Sequence, residues 1–227
     1  MPSRKAFNSS IDPSATSSTR RSTPTAIPRS SAIPWRPRPT LTIVPGAGFS
    51  DTTPVAPVGG NSGTTLGAQR LIALQSAADL WGAVLTSTEE IPIGARFDAL
   101  PCNASGGTLG LGGSNSAFRD FAGAPVAGTW YPVALANSLT HSDDCPPSSS
   151  CTMAGFDPND IDVQFQANIG TSGCIKGQSF YFGLDGNPGP HQIDFISIAL
   201  HEIGHGLGIN TLVNLATGAK SLGFDDT

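Results

Sequence analysis

Apolar residues recur at helical spacing in two segments of the chain. Between residues 64 and 86 they return every three or four positions, which predicts a helix with one apolar face. The residues of that predicted face are Leu71, Leu74, Ala78, Trp81 and Leu85. Thr64 or Thr65 stands where a helix N-cap is expected, so the helix should begin there.

The second helix is predicted from about Asp194 to Leu207, where apolar residues again line one side. Its predicted backing stripe consists of Ile196, Ala199, Leu200, Ile203 and Leu207. Asp194 is suited to cap its start, and Gly206 and Gly208 are stop signals. A shorter helix is predicted over residues 131–139.

Alternation of apolar and polar residues predicts strands in other parts of the chain. The clearest spans residues 161–169, where every second residue is apolar. Residues 91–97 and 179–184 predict two further strands, and a short apolar run at 41–44 predicts an edge strand. Gly, Ser and Asn dominate residues 103–117, which are therefore predicted as loop. A helix, several strands and a final helix predict an α+β domain, with the first helix backing a twisted mixed sheet.

The first 40 residues differ in composition from the rest of the chain. They contain nine Ser, five Thr and seven Pro, which predicts a disordered tail at 1–40 and a folded domain at 41–227. The tail carries a net charge of +6 and the remainder a net charge of −11. Because the tail lacks interleaved aromatic residues and the acidic remainder would repel phosphate, no nucleic-acid partner is expected.

The cysteines indicate an oxidising compartment. There are four of them, Cys102, Cys145, Cys151 and Cys174, and none belongs to a CxxC pair. This even number predicts two disulfides in a secreted protein, although four free thiols in a cytosolic protein are the alternative. The short spacing favours Cys145–Cys151, which leaves Cys102–Cys174 as the second pair. No signal peptide is visible in the sequence, and no run approaches the ~20 apolar residues of a membrane-spanning helix.

The second predicted helix contains the motif His201-Glu-Ile-Gly-His205, which has the form HExxH. Histidines four positions apart lie on the same helix face, so His201 and His205 can reach one metal ion at ~2.0–2.1 Å. Glu202 lies one step round the helix, where its carboxylate can contact a metal-activated water. The motif therefore predicts a catalytic Zn²⁺ held by His201 and His205, with Glu202 as the general base. The alternative is an apolar core helix that carries two histidines by coincidence.

The longer string from His201 to Gly208 resembles the start of the metzincin signature HExxHxxGxxH. More widely, residues 41–227 resemble bacterial secreted metallopeptidase-like proteins that often carry a protease-associated (PA) domain. The stretches that carry this resemblance are 69–81, 129–136, 160–165, 180–186, 194–208 and 217–226. The resemblance implies a zincin-like fold, zinc-dependent proteolysis of polypeptides, and a family chain that continues past Thr227.

The third zinc ligand is left open by the sequence. Thr211 occupies the position of the third metzincin histidine, and no methionine follows the helix to form a Met-turn. Catalytic zinc normally takes three protein ligands. The candidates are Asp225, Asp226, His191 and a residue beyond Thr227.

Two alternatives to a complete peptidase follow from the missing ligand. One is a non-catalytic extracellular binding module that keeps a zincin shell, and the other is a truncated, inactive peptidase fragment. Calcium is a further candidate cofactor, because oxygen-bearing side chains cluster in two places. These side chains belong to Asp157, Asn159, Asp160, Asp162, Asp185 and Asn187.

Overall fold

The computed structural model describes residues 37–142, residues 159–210 and Thr217. In these ranges the chain forms three helices, α1 (Leu66–Val84), α2 (Val133–Thr140) and α3 (Phe195–Gly206). It also forms ten strands, β1 (Leu41–Pro45), β2 (Ile91–Asp98), β3 (Cys102–Asn103), β4 (Gly106–Gly107), β5 (Gly110–Ser114), β6 (Ala117–Phe118), β7 (Tyr131–Pro132), β8 (Ile161–Gln166), β9 (Ser179–Tyr181) and β10 (Gln192–Asp194). The predicted α+β class is therefore confirmed.

The main sheet has four strands in the order β1-β2-β8-β5. The first three are parallel to one another, and β5 runs antiparallel to β8 at the end of the sheet, so the sheet is mixed as predicted. The predicted edge strand at 41–44 is confirmed as β1. Three two-stranded pairs, β3–β4, β6–β7 and β9–β10, complete the described strands.

The core lies between the main sheet and the two longer helices. Ile161, Val163 and Phe165 of β8 have no exposed surface, as the alternation predicted. Strand β8 ends at Gln166 rather than near residue 169, and the Gln166 side chain is buried. Its amide nitrogen donates to the carbonyl oxygen of Leu100 at 2.9 Å, which stabilises the loop between β2 and β3.

Helix α1 begins where it was predicted, but it buries a partly different face. The hydroxyl of Thr65 accepts a hydrogen bond from the N–H of Ala68 at 3.2 Å and caps the helix. The face that is buried consists of Gly67, Gln69, Ala73, Leu74, Ala77 and Ala78. Leu71, assigned to the core face by its spacing, is 36% exposed. Helix α1 has apolar residues of its own on all sides, so periodicity alone does not identify the buried side. The side with small alanines allows the closest packing.

The prediction of loop over residues 103–117 is wrong. This stretch contains β5 and β4 and parts of two other strands. Glycine has low strand propensity, and the strand signal is lost in a segment that has Gly at 110, 112 and 113. The packing described below explains why glycine is needed there.

A disulfide joins Cys102 and Cys174, as predicted, with their Cα atoms 5.1 Å apart. Cys145 and Cys151 lie outside the described residues, so their pairing stays a prediction. The predicted tail also lies outside them, apart from residues 37–40. No helix among the described residues is long and apolar enough to cross a membrane.

Candidate metal centre

Helix α3 carries the HExxH motif and is held in place at its first turn and near its middle. The carboxylate of Asp194 accepts a hydrogen bond from the N–H of Ser197 at 2.9 Å, which caps the first turn. Phe195 is fully buried, and its ring centroid lies 4.7 Å from that of Phe165 in β8. The indole N–H of Trp81 in α1 donates to the carbonyl oxygen of Leu200 at 3.0 Å, directly before the motif.

The two histidines of the motif meet on the outer side of α3. The Nε2 atoms of His201 and His205 are 2.9 Å apart, and His201 is exposed while His205 is half-buried. Two ligand atoms of a tetrahedral zinc ion, each ~2.05 Å from the metal, lie ~3.3 Å apart. A slight increase in the distance between the two Nε2 atoms would therefore admit an ion. The pair therefore offers two of the three protein ligands that a catalytic zinc ion normally takes.

The turn after α3 orients His205. Gly208 has φ +98°, and the N–H of Ile209 bonds to the carbonyl oxygen of Gly204 at 2.9 Å, which folds the chain back over the last helical turn. This turn brings the carbonyl oxygen of Ile209 to 2.9 Å from Nδ1 of His205. Because a carbonyl only accepts, Nδ1 carries the proton and Nε2 keeps its lone pair for a metal.

The Glu202 side chain packs in the space between α3 and β5. It is only 6% exposed. A Cβ atom added at Gly110 would lie 2.7 Å from Cγ and 2.8 Å from Oε1 of Glu202. A Cβ atom at Gly112 would overlap the backbone carbonyl oxygen of Glu202. The two glycines thus allow β5 to approach the motif, and they are the site residues that the sequence did not predict.

Burial raises the pKa of Glu202 above its ordinary value, and the charges of His201 and His205 oppose that rise. A raised pKa brings a carboxylate closer to the range in which general bases operate near neutral pH. The burial that raises it comes from the same close approach of β5.

Strand β5 presents backbone groups at the end of the sheet, beside Glu202. The carbonyl of Leu109 accepts from Gln166, and the N–H of Asn115 donates to Asp160, so the odd-numbered residues face β8. In an antiparallel pair the alternate residues then direct their N–H and C=O groups away from the partner strand. In β5 these are Gly110, Gly112 and Ser114.

The described residues do not supply a third ligand. Among them, no three His, Cys, Asp or Glu side chains are grouped to hold a metal ion. His191 is accordingly not grouped with His201 and His205, and its Nδ1 lies 3.4 Å from the amide nitrogen of Gln178. The candidates Asp225 and Asp226 lie outside the described ranges.

The calcium candidates among the described residues are likewise not part of a group of three metal-binding side chains. The carboxylate of Asp185 accepts the Tyr181 hydroxyl at 2.7 Å, and this hydrogen bond lowers the pKa of Asp185. Asp157 is outside the described residues. Calcium binding stays a prediction.

Comparison of the chain with known protein-family models, with curated proteins and with solved structures found no match.

Proposed function

We propose that this protein is a zinc-dependent endopeptidase with a zincin-like fold, acting on extended polypeptides. The observation that carries the proposal is the convergence of the His201 and His205 Nε2 atoms at 2.9 Å on the helix that also buries Glu202. Neighbouring positions on one helix turn thus offer two metal ligands and a carboxylate. The HExxH pattern alone predicts the residues, and the geometry supports their roles.

Each of the three side chains has a separate task in the proposed mechanism. His201 and His205 would hold the ion through Nε2, and the Ile209 carbonyl keeps His205 in the required tautomer. A zinc ion held there would supply Lewis acidity, which makes water more acidic and polarises a carbonyl group. Glu202 accepts the proton of the attacking water and returns it to the leaving amine.

The substrate would lie along β5. The outward backbone groups of Gly110 and Gly112 can pair with an extended peptide, as sheet edges do when they bind peptides. Because Glu202 packs against these same residues, such a peptide passes beside the proposed base. The Cys102–Cys174 disulfide supports the proposed extracellular location, since such bonds persist in oxidising compartments.

A non-catalytic binding module is the second candidate. It is favoured by the lack of a grouped third ligand among the described residues. Such a module would bind peptides along β5 without cleaving them.

Three variants distinguish these possibilities. Glu202→Gln should retain zinc and lose hydrolysis of a casein substrate, because it removes the base and keeps the ligands. His201→Ala should lose both zinc and hydrolysis. His191→Ala is the matched control, because its side chain lies outside the proposed site, and it should change neither.

The measurements are zinc content after dialysis and casein hydrolysis with and without a chelator. Stoichiometric zinc in His201→Ala would refute the metal site. Zinc bound by the wild type without chelator-sensitive hydrolysis would refute the peptidase and favour the binding module.

A further inference from the structure

An exposed leucine stands in the middle of the glycine-rich strand beside the site. Leu111 is 47% exposed, and its neighbours in β5 are Gly110, Gly112 and Gly113. From residue 110 to residue 113, Leu111 is therefore the one residue that is not glycine. An apolar side chain in that position stands next to the sheet edge where the proposed substrate pairs.

The direction of this side chain follows from its neighbours. Cβ atoms at Gly110 and Gly112 would point at Glu202, on the α3 side of the sheet. Successive residues of a strand point to opposite faces, so Leu111 projects from the face away from α3. Leu111 therefore cannot contact the proposed metal ion. Its position on the edge strand is what allows it to contact a bound peptide.

The residues of β5 that hydrogen-bond outward determine how closely Leu111 approaches a bound peptide. Gly110 and Gly112 direct their backbone groups outward, so they form the hydrogen-bonded pairs with a peptide that runs antiparallel to β5. Leu111 then occupies a non-hydrogen-bonded pair, in which side chains of opposite residues lie closest, with Cα atoms ~4.5 Å apart. Cross-strand pairs of this kind prefer apolar with apolar residues.

We propose that Leu111 is a specificity-determining residue that selects an apolar side chain at the peptide residue opposite it. This inference rests on the proposed function for the position of the peptide. Glu202 packs against Gly110, the neighbour of Leu111, so the selected residue lies within about two residues of the scissile bond at a rise of ~3.4 Å per residue. The ligand class is an extended peptide with an apolar residue at this one subsite.

The test is a charge substitution that should weaken the preference for an apolar residue. The preference is expressed as kcat/KM for peptides with an apolar residue at the subsite, divided by kcat/KM for peptides with an acidic residue there. Leu111→Lys should lower this ratio by about two- to fivefold. Leu80→Lys makes the same change at a leucine that is 51% exposed on α1, and it should leave the ratio unaltered. Cleavage sites in a peptide library, mapped by mass spectrometry, give the ratios and the position of the subsite.

The outcomes separate this inference from the proposed function. Hydrolysis with the same preference in the wild type and in Leu111→Lys, at each position within two residues of the cut, overturns the role of Leu111 and leaves the peptidase standing. If no peptide is cut, the peptidase fails, and the binding of fluorescently labelled library peptides is measured instead. An apolar binding preference that is lost in Leu111→Lys but kept in Leu80→Lys then supports the inference, and an unchanged preference overturns it.

Discussion

The glycines of β5 determine how closely the sheet can approach the residues that carry the proposed chemistry. Gly112 faces the backbone carbonyl of Glu202, and Gly113, next to it, has no atom within 4 Å of an added Cβ. Gly112→Ala should therefore destabilise the fold by about 1–3 kcal/mol, because the backbone of α3 must move to admit the methyl group. Urea unfolding measures this change in the free energy of unfolding.

Gly113→Ala is the matched control for that prediction. The same methyl group meets open space there, and alanine restricts the unfolded chain more than glycine does, so a gain of about 0.5 kcal/mol is expected. Equal destabilisation by the two substitutions would show that the packing of β5 against α3 is not the cause.

The buried carboxylate of Glu202 should make the metal-free protein less stable as the pH rises. Its pKa is raised in the folded state, so the folded protein holds a proton that the unfolded chain releases near pH 4.3. The contribution of the protonated Glu202 to the free energy of unfolding is therefore fully present below that pH. It is lost as the pH rises through the raised pKa of the folded state. Glu202→Gln should remove this loss.

The measurement is the melting temperature of both proteins in chelator, from pH 4 to pH 8. The variant should match the wild type at pH 4 and melt at a higher temperature at pH 7. A difference that does not vary with pH would contradict the prediction, because an uncharged packing effect has no such dependence.

At the residue scale, the parts of the site that the sequence predicts are those with local spacing. His201 and His205 are four positions apart on one helix, so their meeting follows from helix geometry. Gly110 meets Glu202 across 92 positions of sequence, and the contact depends on where β5 packs. Alternating glycines within a strand mark a close backbone approach, and this signal could have identified Gly110 and Gly112.

Among the elements, α3 depends on its cap. Asp194 accepts from the N–H of Ser197 and so satisfies one of the free donors of the first helical turn. Asp194→Ala should destabilise the protein by about 1 kcal/mol, whereas Asp194→Asn keeps a cap and should cost less. Thermal or urea unfolding of the two variants measures the difference, and equal losses would show that the cap does not cause them.

The elements follow a similar division between local and distant causes. Both long helices begin at the cap residues that the sequence predicted, because capping is a contact between residues three positions apart. Strand β5 was predicted as loop, because its glycines serve the packing of α3 and not the strand itself. Leu71 was assigned to the wrong face of α1, since the choice of buried side was made by the sheet and by α3.

At the scale of the whole molecule, the class of fold was predictable, but its assembly around the site was not. The order of helices and strands along the chain predicted the α+β class. The antiparallel placement of β5 beside β8 depends on pairing between distant segments, and the main sheet brings Ser114 opposite Ile161. Such pairing leaves no periodic signal in either strand alone.

The Cys102–Cys174 disulfide connects the segment that leads into β5 to a distant part of the chain. Cys102 belongs to β3, and backbone bonds from Ile175 to Asn103 at 2.8 Å and from Lys176 to Ala104 at 3.0 Å extend the same connection. The bond closes a separation of 72 residues, so it removes much conformational freedom from the unfolded chain. The double variant Cys102→Ser/Cys174→Ser should therefore lose about 2–5 kcal/mol of stability.

Urea unfolding without reductant compares the double variant with the wild type, and a reductant provides the control. If this bond is the main crosslink, reductant should destabilise the wild type to the level of the double variant and should change the double variant little. A large further loss in the double variant would instead indicate a second stabilising disulfide, as predicted for Cys145 and Cys151. Equal stability of the unreduced wild type and the double variant would contradict the role given to Cys102–Cys174.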